Sequence, residues 1–196
     1  MLLDKKTYFV KEQVELMKLA GTYDIYDAET NIQVGIAKEE PGTMIKFLRL
    51  LVNKSILPNR INVYDSENQS LVFYIQKPMS FLRSKVFVYN SNGDHIGYFK
   101  GKILTIGGGF FVYDSNEREV AEIIGDWKGW NFRFVNSQEK EIGTVTKKWA
   151  GIGKELFTSA DNYVISLNDA AESESEHNKL LLAAGLAIDT VYKEHK

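Results

Sequence analysis

The chain has 196 residues, of which 44% are hydrophobic and 26% are charged, with a formal net charge of -2 and no cysteine. A chain of this length and composition is expected to fold as one globular domain, residues 1–196, with a sizeable core. The small net charge disfavours a general nucleic-acid-binding surface. The lack of cysteine excludes disulfides, thiolate metal sites and S-acylation of this chain.

The first residues, Met1–Lys6, predict no secretory signal. They read MLLDKK, with an acid at position 4 and no long apolar run behind it. A signal peptide needs a positive start followed by an apolar stretch. We therefore expect a cytoplasmic protein, peripheral at the inner face of a membrane if it meets one.

Five units of similar pattern dominate the middle of the chain. In each, a run of alternating apolar residues ends with an aromatic or apolar residue, a short polar turn follows, and a second run begins. Alternation with period two is typical of strands with one buried face, and Asn, Asp, Ser and Gly supply the turns. The turns begin at Asp27, Asp65, Asn90, Asp114 and Asn136. Tandem hairpins of this kind predict an antiparallel barrel or sandwich, and we expect positive φ angles at Asn92-Gly93.

The segment Thr43–Leu57 breaks the β pattern and predicts a helix. Pro41 precedes it and Pro58 closes it, as at the two ends of a helix. On a helical wheel, Lys46 and Arg49 lie on one side and mainly apolar residues on the other. The predicted helix is therefore amphipathic and cationic.

A cationic amphipathic helix suits a membrane interface or anionic lipid headgroups. Lys46, Arg49 and Lys54 are therefore lipid-binding candidates. The alternative is a connecting helix that covers one end of the barrel and hides its apolar face there.

A second candidate surface combines indole rings, which favour membrane interfaces, with basic side chains that suit phosphate groups. Its members are Trp127, Lys128, Trp130, Arg133, Lys147, Lys148 and Trp149. From these we choose Lys147, Lys148 and Trp149 as lipid-binding candidates. In the alternative interpretation, Trp130 alternates with Phe132 and Phe134 along one strand and faces the barrel interior.

The segment Leu180–Val191 is apolar nearly all round, so a helix here must be buried in protein or in lipid. Crossing a bilayer takes about 20 apolar residues, whereas these twelve reach about 18 Å and include Asp189. A closed barrel has an interior that such a helix can fill. We expect a buried central helix, no transmembrane span, and a structural Asp189 near the barrel mouth. The predicted packing residues are Leu180, Leu181, Leu182, Ala184, Leu186, Ile188 and Val191.

From about residue 8 to residue 194 the chain resembles the phospholipid scramblases in the order and spacing of several short segments. These are FVKEQVEL (9–16), NVYD (62–65), QKP (76–78), IGY (96–98), KKWAG (147–151), ELFT (155–158) and ADNY (160–163). The fold implied by the resemblance is shared with the plant LURP-one-related proteins and the tubby C-terminal domain. It is a closed barrel of about 12 antiparallel strands around one hydrophobic C-terminal helix.

The proposed calcium-binding segment of that family corresponds to residues 159–170. Asp161 is a calcium-ligand candidate here, but Ala170 stands where the closing acid is needed. Calcium takes six to eight oxygen ligands, including a bidentate acid. We therefore expect neither calcium nor another cofactor, and we interpret the acidic stretch 169–176 as a solvated loop.

No motif points to catalysis. The three histidines have no metal-ligand spacing, no G-x-S-x-G nucleophile elbow occurs, and the glycines at 107–109 are followed by neither a lysine nor a helix. We predict a non-enzymatic, scramblase-like barrel that binds membrane phospholipid or anionic headgroups at the cytoplasmic face. The alternatives are a protein-interaction or structural module of the same fold without a lipid role and, as a third hypothesis, an enzyme with an unrecognised pocket.

Overall fold

The structure of the protein is a computed structural model that describes residues 1–13, 20–48, 51, 57–79, 85–101, 109–126, 129–147, 162–168 and 175–192. For residues 126, 175 and 189–192 the description covers the backbone alone. The strands are β1 (Thr7–Glu12), β2 (Thr22–Asp27), β3 (Gln33–Glu39), β4 (Asn59–Asp65), β5 (Leu71–Lys77), β6 (Lys85–Asn90), β7 (His95–Gly101), β8 (Gly109–Asp114), β9 (Glu119–Asp126), β10 (Asn131–Val135), β11 (Glu141–Thr146) and β12 (Tyr163–Leu167). The helices are α1 (Thr43–Leu48) and α2 (Ser175–Tyr192), and Leu2–Asp4 forms a short 3-10 turn.

The twelve antiparallel strands close into one barrel. Each strand pairs with the next along the chain, and β1 completes the circle by pairing with β12, with Phe9 opposite Val164. The five predicted hairpins are β2–β3, β4–β5, β6–β7, β8–β9 and β10–β11. Closure leaves no free sheet edge. The predicted barrel class is confirmed, and the sandwich alternative is wrong.

Helix α2 fills the barrel interior. It contacts β5, β6, β7, β8 and β12, and every side chain from Leu180 to Ile188 apart from glycine is at most 2% exposed. The packing residues predicted between Leu180 and Ile188 are confirmed, whereas the side chains of Asp189 and Val191 lie outside the described residues. The helix begins at Ser175, so the end of the stretch interpreted as a loop is helical.

All five hairpin turns use the same local device. The Asp or Asn that ends the first strand, or directly follows it in the case of Asn136, accepts at 2.9–3.1 Å the backbone N–H of the residue two positions further on. The acceptors are Asp27, Asp65, Asn90, Asp114 and Asn136. This bond fixes the start of a turn, and one later residue then takes a positive φ angle. In the third hairpin that residue is Gly93 (φ 90°), and the expectation of a positive φ at Asn92 is wrong.

Asp114 accepts hydrogen bonds on both of its carboxylate oxygens. Its Oδ1 accepts the N–H groups of Asn116 and Arg118, and its Oδ2 accepts the Arg118 guanidinium at 2.8 Å. Burial raises the pKa of the carboxyl, but the hydrogen bonds from Arg118 and Asn116 outweigh it and hold the pKa below its usual range. The ionised form is therefore the one that the turn stabilises.

Replacement of Asp114 by asparagine is expected to change the free energy of unfolding at neutral pH only slightly. The amide oxygen can still accept the two backbone N–H bonds, as Asn90 and Asn136 do in their own turns. Asp114→Ala leaves those N–H groups without their acceptor and is expected to be less stable by about 1–3 kcal/mol. Urea unfolding of the three proteins measures both differences.

Acidification of the same proteins tests the role of the charge. Because the folded-state pKa of Asp114 lies below its unfolded value of about 3.9, the carboxylate contributes stability above that pH, and the contribution disappears as pH falls through the folded value. Asp114→Asn cannot titrate there and should lose less stability than the wild type between neutral pH and about pH 3. An equal loss in both proteins would contradict this role.

The two ends of the barrel differ in their connections. The five hairpin turns lie at one end, which we call the turn end, together with the Leu2–Asp4 turn, where Leu2 is fully buried and its N–H donates to Asp65 Oδ2 at 2.7 Å. The other end, the connection end, joins one hairpin to the next. Alternate connections of an antiparallel barrel lie at opposite ends, so the links β3–β4, β5–β6 and β11–β12 all leave the barrel there.

Helix α1 lies in the β3–β4 link and is shorter than predicted. It ends at Leu48, and the Leu51 N–H bonds to the Leu48 carbonyl three residues back, so the α-helical ladder is not continued. Leu57 lies in a bend before β4. Residues 49, 50 and 52–56, including Arg49 and Lys54, lie outside the described residues.

Candidate functional site

The topology brings two predicted candidates to the connection end. Lys46 lies in α1, and Lys147 directly follows β11. They leave the barrel in different sectors, because β12, β1 and β2 stand between β11 and β3 in the wall. Lys148, Trp149, Trp127 and Lys128 lie outside the described residues.

Helix α1 exposes two of its four apolar side chains and leaves the other two, Ile45 and Leu48, half-buried. None of its residues is buried, and Met44 and Phe47 are 75% and 67% exposed. Leu51, just beyond the helix, is 84% exposed, and the Lys46 side chain between them is also exposed. A helix that served as a lid would cover these apolar groups against the barrel. The described part of this segment presents them to the surroundings.

Trp130 lies in the interior, as its alternation with Phe132 and Phe134 predicts. It is 8% exposed, and its ring centroid is 5.5 Å from that of Tyr163 and 6.1 Å from that of Phe132. Its backbone takes a positive φ of 48° just before β10 begins. The indole therefore closes part of the barrel interior near the connection end, and it is not an exposed interface anchor.

Lys147 lies against this indole. Its Nζ is 4.2 Å from the centroid of the Trp130 ring, and its backbone N–H donates to the Trp130 carbonyl at 3.2 Å. A cation over an aromatic face is stabilised by about 0.5–2 kcal/mol, depending on how far it is removed from water. Lys147 thus has an internal contact that Lys46 does not share.

Charge is distributed unevenly between the two ends. At the turn end acids predominate among the described residues, with Glu29, Glu67, Asp94 and Glu117 exposed in the first four hairpin turns. The connection end carries basic side chains on the outside of the wall: Lys38, Arg60, Lys85 and Lys100. Glu12, Glu39 and Glu40 also lie at the connection end, so the attraction of an anionic surface is limited to the sector of Arg60, Lys85 and Lys100, whereas the turn end would be repelled.

Met79, which is 53% exposed in the β5–β6 link, is a surface residue that no sequence motif indicates. The outward positions of Lys85 and Lys100 were likewise not predicted. The available signal was the alternation itself, since Val86 and Phe99, the adjacent residues, face inward and are buried.

The described residues contain neither a metal-binding cluster nor a membrane-spanning helix. No three histidine or acidic side chains among them could hold a metal ion together, and Asp161 lies outside these residues. None of the helices there is long and apolar enough to cross a membrane.

The family model of the Scramblase family matches residues 1–195. A phospholipid scramblase family protein of Schizosaccharomyces pombe is 24% identical over 215 residues, covering 98% of this chain and 55% of the relative. The altered inheritance rate of mitochondria protein 25 of Saccharomyces cerevisiae is 22% identical over 194 residues, covering 84% of this chain and 59% of the relative. The chain thus spans little more than half the length of these curated relatives. No solved structure matches it.

The family model extends over nearly the whole barrel, from the Leu2–Asp4 turn to beyond α2. The resemblance in short segments and the match of the complete chain agree. The chain belongs to the Scramblase family.

Proposed function

We propose that the protein is a peripheral, non-enzymatic barrel that binds anionic phospholipid membranes at their cytoplasmic face through its connection end. The observation that carries the proposal is the exposure of Met44, Phe47 and Leu51 next to Lys46. Large apolar side chains grouped on a protein surface are typical of interaction sites. A lysine beside them favours a partner that is both apolar and anionic.

The chemistry of a bilayer interface fits this arrangement. Full burial of a side chain such as Phe47 contributes about 1.5–3 kcal/mol, and a lysine near an anionic surface adds about 1 kcal/mol. The two effects act together only where acyl chains and headgroup phosphates are adjacent. The name of the Schizosaccharomyces pombe relative, a phospholipid scramblase family protein, supports phospholipid as the partner.

The alternative module without a lipid role interprets α1 as a lid. That interpretation requires the apolar side of α1 to be covered, and the exposure of its described residues weighs against it. We retain Arg49, Lys54, Lys147, Lys148 and Trp149 as proposed lipid contacts. Lys147 is the weaker of the described candidates, because its ammonium group already stacks on Trp130.

Phe47→Ser is expected to weaken binding to vesicles of mixed phosphatidylcholine and phosphatidylserine by at least about tenfold, because the variant lacks the ring that the wild type would bury in the bilayer. The measurement is co-sedimentation at low salt. Ile32→Ser is the matched control, since Ile32 is 64% exposed at the turn end against 67% for Phe47. The control should bind as the wild type does.

Charge reversal provides a second arm of the same experiment. Lys46→Glu should weaken binding to the acidic vesicles, whereas Lys140→Glu, the same change at the turn end, should not. If the wild-type protein does not co-sediment with acidic vesicles at low salt, the proposal is wrong. Equal binding by Phe47→Ser and Ile32→Ser would mean that α1 is not part of the membrane-binding surface.

A further inference from the structure

The outer wall of β5–β8 carries a continuous group of aromatic side chains. The inward residues of these strands pack on α2, so the residues between them face outward. The outward aromatic stripe consists of Tyr74, Phe87, Tyr89, Tyr98 and Tyr113. Tyr74 stacks on Tyr89 at 4.9 Å between ring centroids, Tyr98 stacks on Tyr113 at 4.8 Å, and Phe87 lies 6.0 Å from Tyr98. All five rings are half-buried.

Basic side chains border this stripe on the side of the connection end. The Arg60 guanidinium carbon lies 3.9 Å from the centroid of the Tyr74 ring, and Lys85 Nζ lies 5.2 Å from that of Tyr98. Lys100 stands directly opposite Lys85 on the neighbouring strand. The stripe and its basic border therefore form one surface on a single sector of the wall.

The pair Lys85 and Lys100 is unfavourable in the isolated protein. Like charges directly opposite on adjacent strands repel each other. Neither ammonium group forms an ion pair with any carboxylate of the described residues, and the outward neighbours of the pair are Phe87, Tyr98 and Phe111. An anion placed across the pair would relieve this repulsion, so the chemistry of the pair favours an anionic ligand.

The exposed apolar residues lie at the top of the same sector. Met79 is in the link from β5 to β6, and α1 with Phe47 is in the link that enters β4. From the rim along the wall, the order is exposed apolar side chains, basic side chains, then aromatic rings. Apolar side chains suit the acyl region, and basic side chains and tyrosine rings both suit the headgroup level, so this surface fits a bilayer interface along which the wall lies.

We propose that the barrel docks on anionic phospholipid bilayers in a tilted orientation, with the outer wall of β4–β7 against the headgroups and Lys85 and Lys100 together binding headgroup phosphate. This inference rests on the proposed function and adds a second contact to it. The barrel must tilt because the aromatic stripe and its basic border occupy only one sector of the wall. A barrel standing upright on its connection end would present all sectors of the rim equally.

The double variant Lys85→Glu/Lys100→Glu tests the second contact. It is expected to weaken binding to the phosphatidylcholine and phosphatidylserine vesicles by at least about tenfold and to reduce the salt dependence of binding. The matched control is Lys6→Glu/Lys140→Glu, which makes the same change in net charge at two exposed residues of the turn end. The control should bind within about twofold of the wild type. Thermal unfolding of both variants checks that they are folded.

The orientation has an independent readout, because the chain has no cysteine and one can be introduced for labelling. An environment-sensitive fluorophore at Gln76→Cys, on the outward face of β5, should shift to the blue when acidic vesicles are added. The same label at Thr144→Cys, on the outward face of β11, should not.

The two proposals fail in different ways. If the wild type binds acidic vesicles and Phe47→Ser does not, but Lys85→Glu/Lys100→Glu binds as the wild type and the label at position 76 stays unshifted, the tilted docking is wrong and the proposed function stands. If free inorganic phosphate binds across Lys85 and Lys100 while acidic vesicles do not bind the wild type, both are wrong.

Discussion

Leu182→Ala is expected to lower the free energy of unfolding by about 2–5 kcal/mol, because it leaves a cavity in the centre of the barrel. Leu182 is fully buried on α2, and strands surround it, so the neighbouring side chains have little freedom to collapse into the space. Urea unfolding monitored by tryptophan fluorescence measures the change.

The control is the same substitution on the surface. Leu51→Ala removes the same atoms from a side chain that is 84% exposed, and the stability should change by no more than about 0.5 kcal/mol. A comparable loss in both variants would mean that α2 is not the core of the barrel. Slow hydrogen exchange of the amides from Leu180 to Ile188, limited by global unfolding, would agree with the cavity result.

Gly97→Ala is expected to destabilise the protein by about 1–3 kcal/mol through overpacking. A Cβ atom at this position of β7 would lie 2.8 Å from Leu180 Cδ2 on α2 and too close to the Tyr113 carbonyl oxygen on β8. The carbonyl belongs to the sheet ladder and cannot move away without disturbing its pairing.

Gly42→Ala provides the comparison, since nothing lies within 4 Å of the corresponding Cβ position. Its unfolding free energy should stay within about 0.5 kcal/mol of the wild type. If Gly97→Ala were as stable as Gly42→Ala, the close approach of β7, β8 and α2 would be wrong. If the Leu180 contact were the main cause, Gly97→Ala/Leu180→Ala would lose clearly less stability than the sum of the two single variants.

The stability and the proposed function of the protein belong to different parts of the barrel. The interior is occupied by α2, and the turn end is fixed by Asx turns and the buried Leu2. The exposed apolar residues Phe47 and Met79 and the lysines of the outer wall lie on the connection end or just below it. Substitutions that test membrane binding can therefore be made on the surface with little effect on the core.

The sequence by itself determined the features that depend on local physical chemistry. Period-two alternation and Asp or Asn at the strand ends predicted all five hairpins, because side chains alternate between faces and a carboxylate or amide oxygen captures a nearby N–H. The length and apolar character of Leu180–Val191 predicted the buried helix. Both depend on residues close together in the chain.

The tertiary structure alone decided what depends on which distant residues become neighbours. Pairing of β1 with β12 chose the closed barrel over the sandwich, and that pairing joins residues more than 150 positions apart. The sequence left open whether the apolar side of α1 covers the barrel or contacts a membrane, and its exposure depends on how α1 lies on the fold. The pairing of Lys85 with Lys100 became evident only from the register of β6 and β7, because the strand pairing determines which charged side chains are adjacent.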